Sequence, residues 1–160
     1  MSTYLKQLEC DYLVVGGGAT GLAFIDELIH GNRNVRVVLI DKRGKPGGHW
    51  VDAYPFVRLH QPALWYGVNS KSLGKGHADL CSKAQILAYY ELVIDDLIST
   101  GRLQYFPQCE YLGDGKFTSL LDERLEYQVI VIPRAVIFYN LNYKILFVLK
   151  LYMLLTISVQ

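Results

Sequence analysis

"YLVVGGGATGLAF", Tyr12 to Phe24, holds the decision about the fold. Four apolar or aromatic residues run into three consecutive glycines, and apolar residues resume beyond them. Such a run reads as a buried strand that turns sharply into a helix. Gly16, Gly18 and Gly21 fit the spacing G-x-G-x-x-G. In that spacing the first glycine permits the tight turn, the second lets backbone approach a pyrophosphate, and the third lets helix and strand pack closely. The N-terminus of the helix then presents N–H groups with no intrahelical partner and the positive end of its dipole.

Working outward, "DYLVVGG" is the first strand, starting at Asp11. From Ala19 to His30 the residues Leu22, Ile25, Leu28 and Ile29 recur at helical spacing, and Gly31-Asn32 supplies a stop. "NVRVVLIDK" is a second buried strand ending at Asp41. Strand, helix and strand fit within the roughly 30 residues of a βαβ unit, so the two strands are expected to be parallel neighbours. Asp41, at the end of the second strand, is placed to accept hydrogen bonds from ribose hydroxyls. A carboxylate there repels a 2′-phosphate, which points to FAD or NAD in place of NADP.

Composition narrows the remaining classes. A chain of 160 residues suits one well-buried domain. With 51% hydrophobic and 19% charged residues it belongs among folded globular proteins. A net charge of +1, from 16 basic and 15 acidic residues without like-charge blocks, gives no footprint for nucleic acid or anionic lipid. Cys10, Cys81 and Cys109 lack metal or redox spacing, and the N-terminus has no signal-peptide core; reduced thiols in the cytoplasm are expected. The histidines at 30, 49, 60 and 77 have no metal-ligand spacing, so no metal site is expected.

From Arg43 to Gly76 the pattern dissolves into glycines, prolines and aromatics, a length of irregular chain that is more often functional than idle. Ser82 and Gln85 then form a capping box for a helix with an apolar stripe of Ile86, Tyr90, Val93, Ile94 and Leu97, closed by Gly101. The adjacent Asp95 and Asp96 do not share a helix face and read as its solvated side. "RLQYF" is a third strand, and short runs from Cys109 to Ile132 suggest an antiparallel meander. After Pro133 the chain becomes a Leu-, Ile- and Tyr-rich tail without glycine or proline.

"GKPGGHW", Gly44 to Trp50, followed by "YPFVRLHQP", resembles the Gly-Gly-x-Trp segment and downstream Tyr-Pro region of flavin-containing and Baeyer–Villiger monooxygenases, and more broadly of FAD/NAD(P) oxidoreductases with two dinucleotide domains. The resemblance implies an α/β Rossmann-like FAD-binding domain: a parallel sheet with flanking helices and a small antiparallel meander, incomplete in this chain. It implies that Gly16, Gly18, Ala19, Thr20 and Gly21 line the pyrophosphate, Asp41 and Lys42 the adenosine ribose, and Gly48, His49 and Trp50 the approach to the flavin. Arg58 and His60 are open to two readings, a pair beside the flavin ring or ordinary loop residues. Disulfide reductases of this fold carry a C-x-x-x-x-C pair after their Gly-Gly segment, and no cysteine lies between Gly44 and Leu80, which argues against thiol–disulfide chemistry. Ile25 departs from the small residue common in such fingerprints, so helix–sheet packing must accommodate it.

On this resemblance residues 1–134 are the N-terminal part of an FAD-binding domain and 135–160 a tail foreign to the family. Three readings of the tail stay open. It is an unrelated peptide appended to a shortened reading frame, a C-terminal anchor shorter than the roughly 20 residues a bilayer crossing needs, or a strand pair that closes the sheet. NAD(P)H enters as co-substrate only with a second domain, and weak or no turnover is expected of the chain alone. Alternatives are a catalytically inactive dinucleotide-binding protein and an NAD-dependent dehydrogenase.

Overall fold

The computed structural model describes residues 4–138 apart from positions 77 and 123. Residues 139–160, most of the apolar tail, lie outside the described residues. The organising element is a curled six-stranded sheet with the order β3-β2-β1-β6-β5-β4. Its members are β1 (Tyr4–Val15), β2 (Val37–Ile40), β3 (Leu103–Phe106), β4 (Cys109–Gly113), β5 (Lys116–Ser119) and β6 (Leu125–Phe138). β1, β2, β3 and β6 run parallel through the pairs β1–β2, β2–β3 and β1–β6, whereas β4, β5 and β6 form the antiparallel meander. The fold class is therefore the expected one, a Rossmann-like α/β domain.

All four side chains of β2 are buried, because both faces of the sheet are covered. Val37 and Leu39 face the helices, α1 (Ala19–Gly31) and α3 (Lys83–Ser99), in a core that also holds Val14, Leu22, Ile25, Ile86, Tyr90 and Leu97. Val38 and Ile40 face the other way, into a second core with Cys10, Leu13, Cys109, Phe117 and Val129. The meander reaches that face because the sheet curls. Phe106 on β3 packs edge-on to Phe117 on β5, with centroids 5.1 Å apart, and Phe117 stacks on Tyr127 of β6 at 4.5 Å. Cys109 N–H donates to the Asp41 carbonyl at 3.0 Å and closes β4 against the end of β2.

The first strand is longer than its apolar run. It starts at Tyr4, where the sequence reading started it at Asp11. Leu8 and Cys10 pack on the meander-side core while Gln7 and Glu9 stay exposed, an alternation of period 2 hidden by its polar members. Residues 4–10 pair with 125–131, and pairing resumes at Tyr12↔Ala135. One residue of β1, Asp11, thus faces three of β6, and Pro133 sits inside that bulge, where a strand tolerates the missing N–H. β6 continues past position 134 to Phe138.

Helix α3 has the expected capping box: Gln85 N–H donates to Ser82 Oγ, and Ser82 N–H donates to Gln85 Oε1 at 2.9 Å. Ile25 is accommodated without exposure in the helix-side core. The long irregular stretch contains α2 (His49–Asp52) and a 3-10 turn at Ala63–Trp65, and is strapped to the helices by polar contacts. Asp26 of α1, buried, accepts from Ser70 N–H at 3.0 Å and from the Ser70 hydroxyl. Tyr89 of α3 accepts from Val68 N–H at 2.7 Å and donates to the Lys71 carbonyl at 2.6 Å. Burial pushes its phenol up to about 12, so it stays a neutral donor.

All three cysteines are free and buried. Burial pushes the Cys10 thiol up to about 11 and raises Cys81 and Cys109 as well. Thiolate is the reactive form, so these groups are poor nucleophiles. A disulfide reagent at pH 8 will therefore label the native protein slowly, and all three thiols at once in denaturant; fast labelling of Cys10 or Cys109 in the native state would contradict the second core. Ser82→Ala will lower stability by about 1 kcal/mol in denaturant titration, through loss of the α3 cap.

Candidate functional site: a glycine cradle at the end of the parallel strands

β1 and β2 end side by side, and the Gly16 N–H donates to the Ile40 carbonyl at 2.8 Å as the chain leaves the sheet. Gly16 has φ +109°, which an L side chain rarely adopts. The turn delivers Gly18 to the N-cap of α1, where no side chain caps the helix. The first-turn N–H groups around Gly18, Ala19 and Thr20 thus lack both intrahelical partners and a cap. A Cβ on Gly21 would overlap the Gly16 carbonyl oxygen, so the third glycine serves close packing of helix on turn.

Asp41 completes the turn from below. Its carboxylate is 3% exposed; Oδ2 accepts from Gly17 N–H at 2.5 Å and Oδ1 from Arg43 N–H at 2.8 Å. Each oxygen has capacity for a second hydrogen bond. A Cβ on Gly17 would lie 2.9 Å from Asp41 Oδ2, so the middle glycine of the three is required by this contact.

The second glycine pair closes the other side. Gly47 N–H donates to the Gly17 carbonyl at 2.8 Å, and a Cβ on Gly48 would lie 2.9 Å from the Gly18 Cα. Gly48 also has φ +57°. Two backbone segments thus meet with no side chain between them, beside the α1 N-terminus. Such a cradle fits the pyrophosphate and ribose of a dinucleotide, since it offers free N–H groups, a helix dipole and a ribose acceptor with no Cβ in the way.

The structure brings Gly16, Gly18, Ala19, Thr20, Gly21, Asp41 and Gly48 to one place. Lys42 and Trp50 are engaged elsewhere. Lys42 Nζ donates to Glu110 Oε1 of β4 at 2.7 Å. Trp50 is buried in the helix-side core, where its indole N–H donates to the Tyr66 hydroxyl at 2.6 Å and its ring meets Tyr66 edge-on at 5.9 Å. It therefore anchors α2 to the core. His49 opens α2 with its ring 5.1 Å from that of Trp50, and partial burial followed by the Arg43 charge lowers its pKa. Arg58 donates to the Leu80 carbonyl at 3.3 Å and forms an isolated antiparallel bridge with Ser82.

Sequence reasoning missed Gly17 and Gly47 as members of the cradle, although both lie in the glycine runs that it singled out. It also missed the residues that fix α2. Lys83 donates to the Val51 carbonyl at 3.0 Å and to the Ala53 carbonyl, placing a cation at the helix's C-terminal end. Arg43 donates to Asp52 Oδ2 from Nε at 2.8 Å and from Nη2 at 2.5 Å. That guanidinium holds the Asp52 carboxyl below the usual aspartate range. Among the described residues no cluster of metal-ligating side chains occurs, and no helix is long and apolar enough to cross a membrane.

Comparison with known proteins agrees with this geometry. The family model for NAD(P)-binding Rossmann-like domains matches residues 14–68, the span from the end of β1 through both glycine segments. An uncharacterized protein of Mycobacterium tuberculosis and one of Mycobacterium bovis are each 49% identical over 142 residues, covering 82% of this chain. The chain spans about a quarter (26%) of the length of these curated relatives. A flavin-containing monooxygenase from Stenotrophomonas maltophilia superposes with a TM-score of 0.60 at 20% identity, over 82% of this chain and 38% of that one. A bacillithiol disulfide reductase from Staphylococcus aureus gives 0.61 at 17%, over 81% and 38%. A cyclohexanone monooxygenase gives 0.57 at 22%, over 86% and 28%. This chain therefore has a Rossmann-like fold, matching the family model for NAD(P)-binding domains over residues 14–68 and sharing its fold with flavin monooxygenases and related oxidoreductases.

Proposed function

We propose that this chain is the FAD-binding portion of a flavin monooxygenase-like oxidoreductase, holding the ADP half of FAD in the glycine cradle. The contact of Gly47 and Gly48 with Gly17 and Gly18 carries this reading. It builds a second backbone wall beside the phosphate turn, which a plain strand–turn–helix site does not need. The α1 N-terminus would take the pyrophosphate through the N–H groups of Gly18, Ala19 and Thr20, and Asp41 the ribose hydroxyls through its remaining lone pairs. Gly48 and His49 would lie where the cofactor leaves the cradle toward its flavin end.

When bound, FAD supplies hydride acceptance and reaction with oxygen, chemistry that belongs to the cofactor. The chain's part is to orient the dinucleotide. NAD(P)H enters as co-substrate of a whole protein with a second nucleotide site. Buried, reduced thiols support a cytoplasmic setting.

A second reading, NAD in the same cradle, has its support in the matched family's description and in the same Asp41. The two part on one measurement, the absorbance spectrum of protein purified without added cofactor, with released nucleotide identified by chromatography. Stoichiometric FAD is expected; NAD alone would overturn the flavin reading. Gly48→Ala will weaken FAD binding at least tenfold in titration with folding retained, since a Cβ there meets the Gly18 Cα. Asp41→Asn will weaken it by about 1–3 kcal/mol, the scale of a lost charge-assisted hydrogen bond.

A further inference from the structure

Two cations follow the ribose acid directly, and each is held by a carboxylate from another element. Lys42 is paired with Glu110 of β4 at 2.7 Å. Arg43 is paired through two nitrogens with Asp52, the last residue of α2. The Arg43 N–H donates to Asp41 Oδ1, so the root of the guanidinium is fixed beside the carboxylate that would meet the ribose.

Position matters here because phosphate on a ribose 2′-oxygen is recognised by cations next to the end of the second strand, arginine above all, through its planar fork. Lys42 and Arg43 have the right chemistry and the right place in the chain for that task. Both are committed to carboxylates, and the Arg43 fork is turned onto Asp52. A 2′-phosphate at this ribose would face the Asp41 carboxylate while its natural partners were occupied. We propose that Glu110 and Asp52 are specificity-determining residues that reserve this site for dinucleotides with a free 2′-hydroxyl, by occupying Lys42 and Arg43. The proposal rests on the dinucleotide reading of the cradle.

The magnitude is bounded by exposure. Both pairs are solvent-exposed, and pairs of that kind contribute up to about 1 kcal/mol, so each lock is worth roughly a fivefold factor in relative affinity. Asp41 supplies the repulsion that remains when both are removed.

The probes are ADP and its 2′-phosphorylated analogue, which differ only in the group at issue, with binding measured by calorimetry on the full chain. The native protein is expected to prefer ADP. Asp52→Asn and Glu110→Gln should each shift the affinity ratio toward the 2′-phosphorylated probe by about fivefold, with ADP affinity little changed. Adding Arg43→Gln to Asp52→Asn should return the ratio to the native value. A loop that was merely loosened would weaken both probes alike. An unchanged ratio, with ADP still bound, therefore overturns this inference and leaves the dinucleotide reading standing. Failure of the native chain to bind either ADP or FAD overturns both.

Discussion

The Asp41 carboxylate meeting the Gly17 N–H is the contact on which the carboxyl end of the sheet depends. A carboxylate buried to 3% exposure is costly unless its oxygens are hydrogen-bonded, and here backbone groups on both sides satisfy it. The contact ties the end of β2 to the turn after β1. Gly17 is gripped twice, since its carbonyl accepts from Gly47 N–H while its own N–H is held by Asp41. With that residue fixed, Gly18 lies at the start of α1, and the helix N-terminus opens toward the space beside Gly48 rather than toward protein. One residue thus positions the turn and remains able to accept hydrogen bonds from a ligand.

The sheet beneath must hold these strand ends still, and it does so by being buried on both faces. The helix-side core is continuous from Val14 and Leu39 to α3, and Trp50 and Tyr66 carry it under α2. The other face is covered only because the meander curls back, and the stacked Phe117–Tyr127 pair against Phe106 is what fills the curl. The bulge at 132–134 belongs to the same solution. It lets β6 carry a proline and re-register against β1 in mid-strand.

Much of this was legible in the sequence, for a definable reason. The glycine spacing, the Asp41 position and the Ser82–Gln85 capping box are local patterns whose geometry follows from backbone sterics, and they formed as expected. What was not legible depends on partners distant in sequence. Residues 4–10 precede the apolar run that marks the strand, and β6, about 120 residues away, supplies their pairing. Trp50 in the Gly-Gly-x-Trp segment reads as a side chain near a cofactor. The spacing conveys its proximity to the cradle but not its direction, which Tyr66, sixteen residues on, determines. Lys42 is similar: adjacency to Asp41 places its Cα beside the proposed ribose site, while Glu110 on β4 decides where the ammonium goes.

The same fold lies within proteins of differing chemistry. A flavin-containing monooxygenase, a cyclohexanone monooxygenase and a bacillithiol disulfide reductase superpose on this chain almost equally well. That equality has a physical cause. In the proposed function the cradle would meet phosphates and a ribose, which are chemically silent, so it would bear no imprint of what the reactive end of a cofactor does. Discrimination has to come from groups with reactivity of their own. Of the thiols present, Cys10 and Cys109 point into the meander-side core and Cys81 into the helix-side one, each with its pKa raised by burial. They are packing groups of this domain, and burial makes each a poor nucleophile. The fold argument is therefore neutral between the neighbours.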